Sequence, residues 1–256
     1  MSLFRDETCL YDNGNSQQRV QVFDRAGQRV LRFGNQITQS AVSLSEPGRL
    51  VLDYTRAMVA ALVFHPYAAE ILHIGLGAGS VPGFLHMNLP GVRQRAVELD
   101  PEVVRVAHQF FGLPRSERLR ITVEDGAEFL RVTPDRYDVI FLDAFHADGI
   151  PVHLRSPTLL GMARERLREG GWLISNVWGS DRAALLAAIR AAGAAFKELW
   201  AISVRLDSNV ILIGGNPARP PSREDLLSRA AALEQRMPLD FVQWTERLRP
   251  ARSMPE

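Results

Sequence analysis

Ile71-Leu72-His73-Ile74-Gly75-Leu76-Gly77-Ala78-Gly79 is a short apolar run that breaks into three alternating glycines, and the next apolar run ends in an acidic residue, Glu98. This layout fits a strand that opens into a loop at the top of a parallel sheet. Glycines there let backbone approach a nucleotide-type ligand, and the acid takes the ribose hydroxyls. An enzyme is the first expectation, with Gly75, Gly77, Gly79 and Glu98 as its first candidate binding residues.

On both sides of the motif, short apolar runs alternate with helical periodicities. They predict strands over 70–74, 93–98, 119–123, 137–142 and 172–177, and helices over 80–88, 101–111, 126–131, 156–167 and 181–192. Such alternation argues for an α/β fold with a mostly parallel sheet, covered on both faces and joined by right-handed crossovers. Two later runs, 196–204 and 209–213, suit an antiparallel hairpin at a sheet edge. Upstream, apolar residues recur at helical spacing from Leu50 to Phe64, where His65-Pro66 ends the segment. The first fifty residues differ: Val20 to Phe23 and Arg29 to Phe33 flank the turn-like Asp24-Arg25-Ala26-Gly27, and Ser40 to Leu44 adds a further run. We therefore divide the chain into a β-rich appendage over 1–49, a catalytic domain over 50–215 and a helical tail over 216–256. The tail begins at a stiff connector, Asn216-Pro217-Ala218-Arg219-Pro220-Pro221, and Ser222 caps its helix. Its arginines read as a solvated helix face packed on the domain.

A chain of 256 residues with a formal net charge of +1 is long enough for one large domain with a small appendage. Its charge gives no electrostatic case for nucleic acid or an anionic membrane as partner. The single cysteine, Cys9, excludes an intrachain disulfide or a thiolate metal cluster. No apolar leader or bilayer-length run is present, so a soluble cytoplasmic protein is expected.

Three ligand classes compete for the glycine loop. A dinucleotide fingerprint wants a third glycine where Ser80 stands, and a P-loop needs a Lys-Ser/Thr pair that is missing. An S-adenosylmethionine-type nucleoside predicts a further acid after the third strand, and Val123-Glu124-Asp125-Gly126 supplies it. The fourth strand ends in Leu142-Asp143-Ala144-Phe145-His146-Ala147-Asp148-Gly149-Ile150-Pro151. Asp143 should project into the same crevice, since ligands of open α/β sheets sit at the carboxyl ends of the strands. Asp143, His146, Asp148 and His153 also form a cluster with metal-ligand chemistry. A polar, substrate-facing loop is the more ordinary reading, and no metal is expected.

Gln39-Ser40, Asp53-Tyr54, the glycine loop, Val97-Glu98-Leu99-Asp100, Glu124-Asp125-Gly126 and the Asp143 to Pro151 loop follow one another in an order and spacing that resembles the spermidine synthase superfamily of polyamine aminopropyltransferases. The resemblance covers about 28–215 and implies a doubly wound, S-adenosylmethionine methyltransferase-like domain behind an N-terminal β appendage. It implies that Glu98 holds the ribose, that Asp125 and Gly126 hold the adenine with Leu99 and Ala144 beside them, and that Gln39 reaches over the nucleoside. Asp143 matches the catalytic acid, which can orient an amine and take its proton. Tyr54 would bond Asp143 or line the substrate channel, and His146 and Asp148 would face the amine. A homodimer acting on a small-molecule amine is the expectation that comes with the resemblance.

The chain also departs from that pattern. Ala78 stands where the aminopropyltransferases usually carry an aspartate that attracts the cationic arm of decarboxylated S-adenosylmethionine. His146 replaces the second loop aspartate, although Asp148 lies close by. Ser156-Pro157-Thr158-Leu159 and Arg205-Leu206-Asp207-Ser208 replace tyrosine-bearing diamine-handling segments. Aminopropyl transfer is the leading expectation. Methyl transfer from intact S-adenosylmethionine and a catalytically silent nucleoside-binding relative remain open beside it.

Overall fold

In the computed structural model, which describes residues 7–14, 19–34, 38–144, 156–204 and 209–253, the chain opens with an antiparallel four-stranded sheet. Its strands are β1 (Glu7–Asp12), β2 (Val20–Arg25), β3 (Gln28–Phe33) and β4 (Thr38–Ser43), paired in chain order. β1 escaped the sequence reading because it is mostly exposed or half-buried, carries a register shift between Cys9 and Tyr11, and so lacks an alternating apolar face. Val20, Val22, Leu31 and Phe33 of this sheet pack on Ala78, Val103 and Val106 of the next layer.

The segment read as a helix over 50–64 is a shorter helix, α1 (Asp53–Ala60), tightened into a 3₁₀ turn over Ala61–Phe64. Then follow β5 (Glu70–Ile74), α2 (Ser80–Asn88), β6 (Arg93–Glu98), α3 (Pro101–Phe110), β7 (Leu119–Val123), α4 (Gly126–Val132), β8 (Tyr137–Leu142), α5 (Pro157–Glu165), β9 (Leu167–Trp178), α6 (Arg182–Ala195), β10 (Glu198–Val204) and β11 (Asn209–Gly215). Asp100, Asp125, Ser156 and Asp181 accept backbone N–H groups at the starts of α3, α4, α5 and α6, which explains where those helices begin. β9 starts five residues before the expected strand, with Glu169-Gly170-Gly171 included in it.

The main sheet has eight strands, and β7, β6, β5, β8 and β9 are parallel neighbours in that order. β10 and β11 form the expected antiparallel hairpin, with β11 inserted beside β9. A two-residue strand, β12 (Arg249–Pro250), covers part of β10, so the hairpin is not the bare edge that the sequence suggested.

The tail forms α7 (Arg223–Glu234), opened by a Ser222–Asp225 capping box, and α8 (Phe241–Glu246). Leu226, Leu233, Met237, Phe241 and Trp244 join one core cluster with α1, Phe141 and Trp172. Burying a side chain such as Phe241 contributes roughly 1.5–3 kcal/mol. Arg229 departs from the solvated reading: its guanidinium donates to the carbonyls of Val63 (3.3 Å) and Phe64 (3.4 Å) at the end of the 3₁₀ turn. Among the described residues, no helix is long and apolar enough to cross a membrane.

Candidate active site

The carboxyl ends of the parallel strands are stitched into one rim. The Gly75 amide donates to Val97 O at 2.9 Å, the Asp143 amide to Ile74 O at 2.9 Å, and the Glu124 amide to Glu98 O at 3.0 Å. Gly75 has φ +91, and a side chain there would place Cβ 2.2 Å from the carbonyl oxygen of Asp143. The glycine loop can therefore lie against the end of β8 only without a Cβ. Gly77 meets the second sheet in the same way, with Ser40 Oγ 2.7 Å from where its Cβ would be. Ser40 Oγ accepts the Ala78 amide at 3.2 Å, so β4 clamps the loop from the N-terminal side. Gly79, also at positive φ, caps α2. Ala78 itself is buried among apolar side chains and brings no charge to the rim.

Glu98 sits at the end of β6 with its carboxylate against the glycine loop. Its oxygens accept the amides of Leu76 at 2.9 Å and Asp100 at 3.1 Å, and the Gly77 amide also acts on it. Burial pushes its carboxyl above the ordinary range, while these donors pull the other way. Next to it, Asp125 accepts the amides of Ala127 (2.8 Å) and Glu128 (3.0 Å) as the N-cap of α4. Gly126 brings that helix start against β5, since a Cβ would fall 2.5 Å from Ile74 Cγ2. Leu99, just past the end of β6, and Val123, the last residue of β7, are each about half exposed. Two acids flanked by exposed apolar side chains on a rim of backbone suit a flat, hydroxylated ligand better than a bare ion.

Asp143 and Ala144 leave the end of β8 half-buried, opening on the same rim. Burial raises the Asp143 carboxyl to about 6. Two side chains oppose that shift by hydrogen bonding, Asn176 first and Tyr54 second. Asn176 Nδ2 donates to Asp143 Oδ1 at 2.9 Å. Tyr54, on α1, donates its hydroxyl to the Gln39 carbonyl at 2.8 Å, which ties the β4 edge to the acid. A carboxylate held at about 6 is largely ionised at neutral pH yet basic enough to accept a proton.

Gly75, Gly77, Glu98, Asp125, Gly126 and Asp143 thus come together at the strand ends, with Leu99 and Ala144 next to them in the chain; Gln39 meets Tyr54 through its carbonyl, Gly79 caps α2, and His146 and Asp148 lie outside the described residues. Asn176 and Asn209 belong to the site and were missed: uncharged amides on separate strands carry no sequence signal. His73, one strand end away, is buried, bonds Gln94 at 2.9 Å and stacks on Phe141. Desolvation lowers it to about 4, which marks it as a neutral core residue.

The chain is similar to several known proteins. A family model described as the spermine/spermidine synthase domain matches residues 53–177. The polyamine aminopropyltransferase of Neisseria meningitidis serogroup A is 34% identical over 165 residues, covering 64% of this chain and 63% of that protein. The chain thus spans less than two thirds of that relative's length. The polyamine aminopropyltransferase of Chromobacterium violaceum is 28% identical over 232 residues, 90% of this chain and 89% of that one. Among solved structures, human methyltransferase-like protein 13 in complex with SAH superposes with a TM-score of 0.68 at 26% identity, covering 72% of this chain and 92% of that one.

Proposed function

The chain belongs to the spermidine synthase-like superfamily, and on that premise we propose that it is a transferase that binds an S-adenosylmethionine-type nucleoside and moves an aminopropyl group from its sulfonium to an amine. In this reading Glu98 takes the ribose hydroxyls. Asp125 and Gly126 meet the adenine edge, Leu99 and Val123 flank the ring, and Gln39 closes over the nucleoside. The donor supplies a carbon made electrophilic by its positively charged sulfur. Asp143 orients the incoming amine, whose lone pair forms the new C–N bond while the C–S electrons return to sulfur. The proton lost from nitrogen passes to the Asp143 carboxylate. The observation that carries this reading is a buried carboxyl, set at about 6 and held by Asn176 and Tyr54, on the same rim as the two nucleoside acids.

One observation favours a second reading, methyl transfer from intact S-adenosylmethionine. Ala78 lies in an apolar cluster, so its side chain neither attracts a cationic aminopropyl arm nor repels a carboxylate. The test is mass spectrometry of products after the purified chain meets each donor with a panel of amines. Methylthioadenosine that depends on the decarboxylated donor supports aminopropyl transfer. S-adenosylhomocysteine from the intact donor replaces it with methyl transfer, and neither product with any acceptor overturns both.

A further inference from the structure

Asp143 is reached from two neighbouring strands by a chain of buried amides. Asn176 lies in β9, 33 residues on in sequence, with only 2% of its surface exposed. Asn209, the first residue of β11, is 6% exposed and donates from Nδ2 to Asn176 Oδ1 at 2.8 Å. Buried amides this deep must find partners for both ends. The polarity of the chain then follows from its terminus. An ionised carboxylate only accepts, so Asn176 must turn its NH₂ toward Asp143; its carbonyl oxygen then faces away and needs a donor, which Asn209 provides.

We infer that Asn176 is the positioning residue of the transfer reaction: oriented by Asn209, its amide fixes one oxygen of Asp143 as an acceptor and leaves the other for the amine. The inference rests on the reading of Asp143 as the base. Among the described residues the other group facing the carboxyl is Tyr54 of α1, whose hydroxyl also meets the Gln39 carbonyl. Of the two described side chains that hydrogen-bond the Asp143 carboxyl, Asn176 has the larger effect on its readiness to hold or release a proton. Protonation of Asp143 would also allow both amides to turn over together, since a carboxylic acid donates where a carboxylate accepts. In the orientation the structure shows, with Asn176 donating to Asp143, the relay favours the ionised, proton-accepting state.

The test uses the full chain with ¹³C-labelled aspartate, and infrared difference spectra against Asp143→Asn to follow the carboxyl band of this one residue with pH. Asn176→Leu should raise the Asp143 midpoint by about 1 pH unit or more, since a donor to a charged group is lost. The acid limb of kcat/KM should move with it. Asn209→Leu, which keeps the donor but frees its orientation, should shift both in the same direction by less. The double variant should match Asn176→Leu alone. An unmoved midpoint, with kcat reduced equally at every pH, would leave Asn176 a packing residue and overturn the inference. If Asn176→Leu does not fold, Asn209→Leu decides by the same two readouts. Failure of the underlying reading is distinguished separately, by full turnover in Asp143→Asn.

Discussion

Glu98 and Asp125, at the ends of β6 and β7, lean on backbone: the amides of Leu76 and Asp100 in one case, of Ala127 and Glu128 in the other. Asp143, at the end of β8, leans on side chains, Asn176 and Tyr54. Backbone donors are fixed by the loop and helix that carry them, so in the proposed function the half that would hold the nucleoside is built by the fold itself. Side-chain donors can be exchanged without moving a strand. The reacting half can therefore change its chemistry while the binding half stays the same.

The contrast breaks first at Asp143. Replacing it with Asn keeps the shape, and the amide can present its oxygen to Asn176, but no proton acceptor remains. Turnover should fall by roughly two to four orders of magnitude, while calorimetry should find nucleoside affinity within a few-fold of the parent. A comparable loss of affinity would mean that the two halves do not act separately. The next largest effect belongs to Glu98→Gln. One acceptor oxygen becomes an NH₂ that faces backbone N–H groups, and charge-assisted bonds to the ribose are lost. Nucleoside affinity should weaken by roughly 10- to 100-fold, with kcat at saturating donor changing far less. A fall in kcat alone would place Glu98 in the chemistry instead.

The same contrast explains what could be read from the sequence. Acids at strand ends and alternating glycines are local signals, because the strand, the loop and the ligand contact are neighbours in the chain. Gly75, Glu98 and Asp125 were legible for that reason, and Asp143 because its apolar run ends where a parallel strand must stop. Asn176 and Asn209 were not. Each is an ordinary polar residue in a strand, and only sheet order brings β11, β9 and β8 side by side. Other misses share a cause. β12 is two residues long and contains Pro250, α8 is six residues, and β1 has no buried stripe, so none has the periodicity that a strand or helix reading needs. The tail's place in the core was hidden by its arginines, although Leu226, Leu233, Phe241 and Trp244 are all buried.

The smallest effect concerns stability, and it sets Asp143 against His73 of the core by sign. Burial raises Asp143 from an ordinary 3.8 to about 6, so the folded chain holds a proton over a pH range where the unfolded chain has released it. Stability from this residue is fully present below about pH 4 and is lost as pH rises through about 6. His73 runs the other way: lowered from 6.5 to about 4, it contributes stability above pH 6.5 that is lost as pH falls toward 4. The two slopes oppose each other in the parent protein, so its own pH curve does not reveal Asp143. The difference between Asp143→Asn and the parent does, because His73 is common to both. Urea denaturation should find the variant more stable by about 1–2 kcal/mol above pH 6, a figure reduced from the full linkage value because Asp143 opens on the crevice. That gain should shrink toward zero by about pH 4. A gain independent of pH would mean that the Asp143 carboxyl ionises freely in the folded state, and burial would then not tune it for proton transfer.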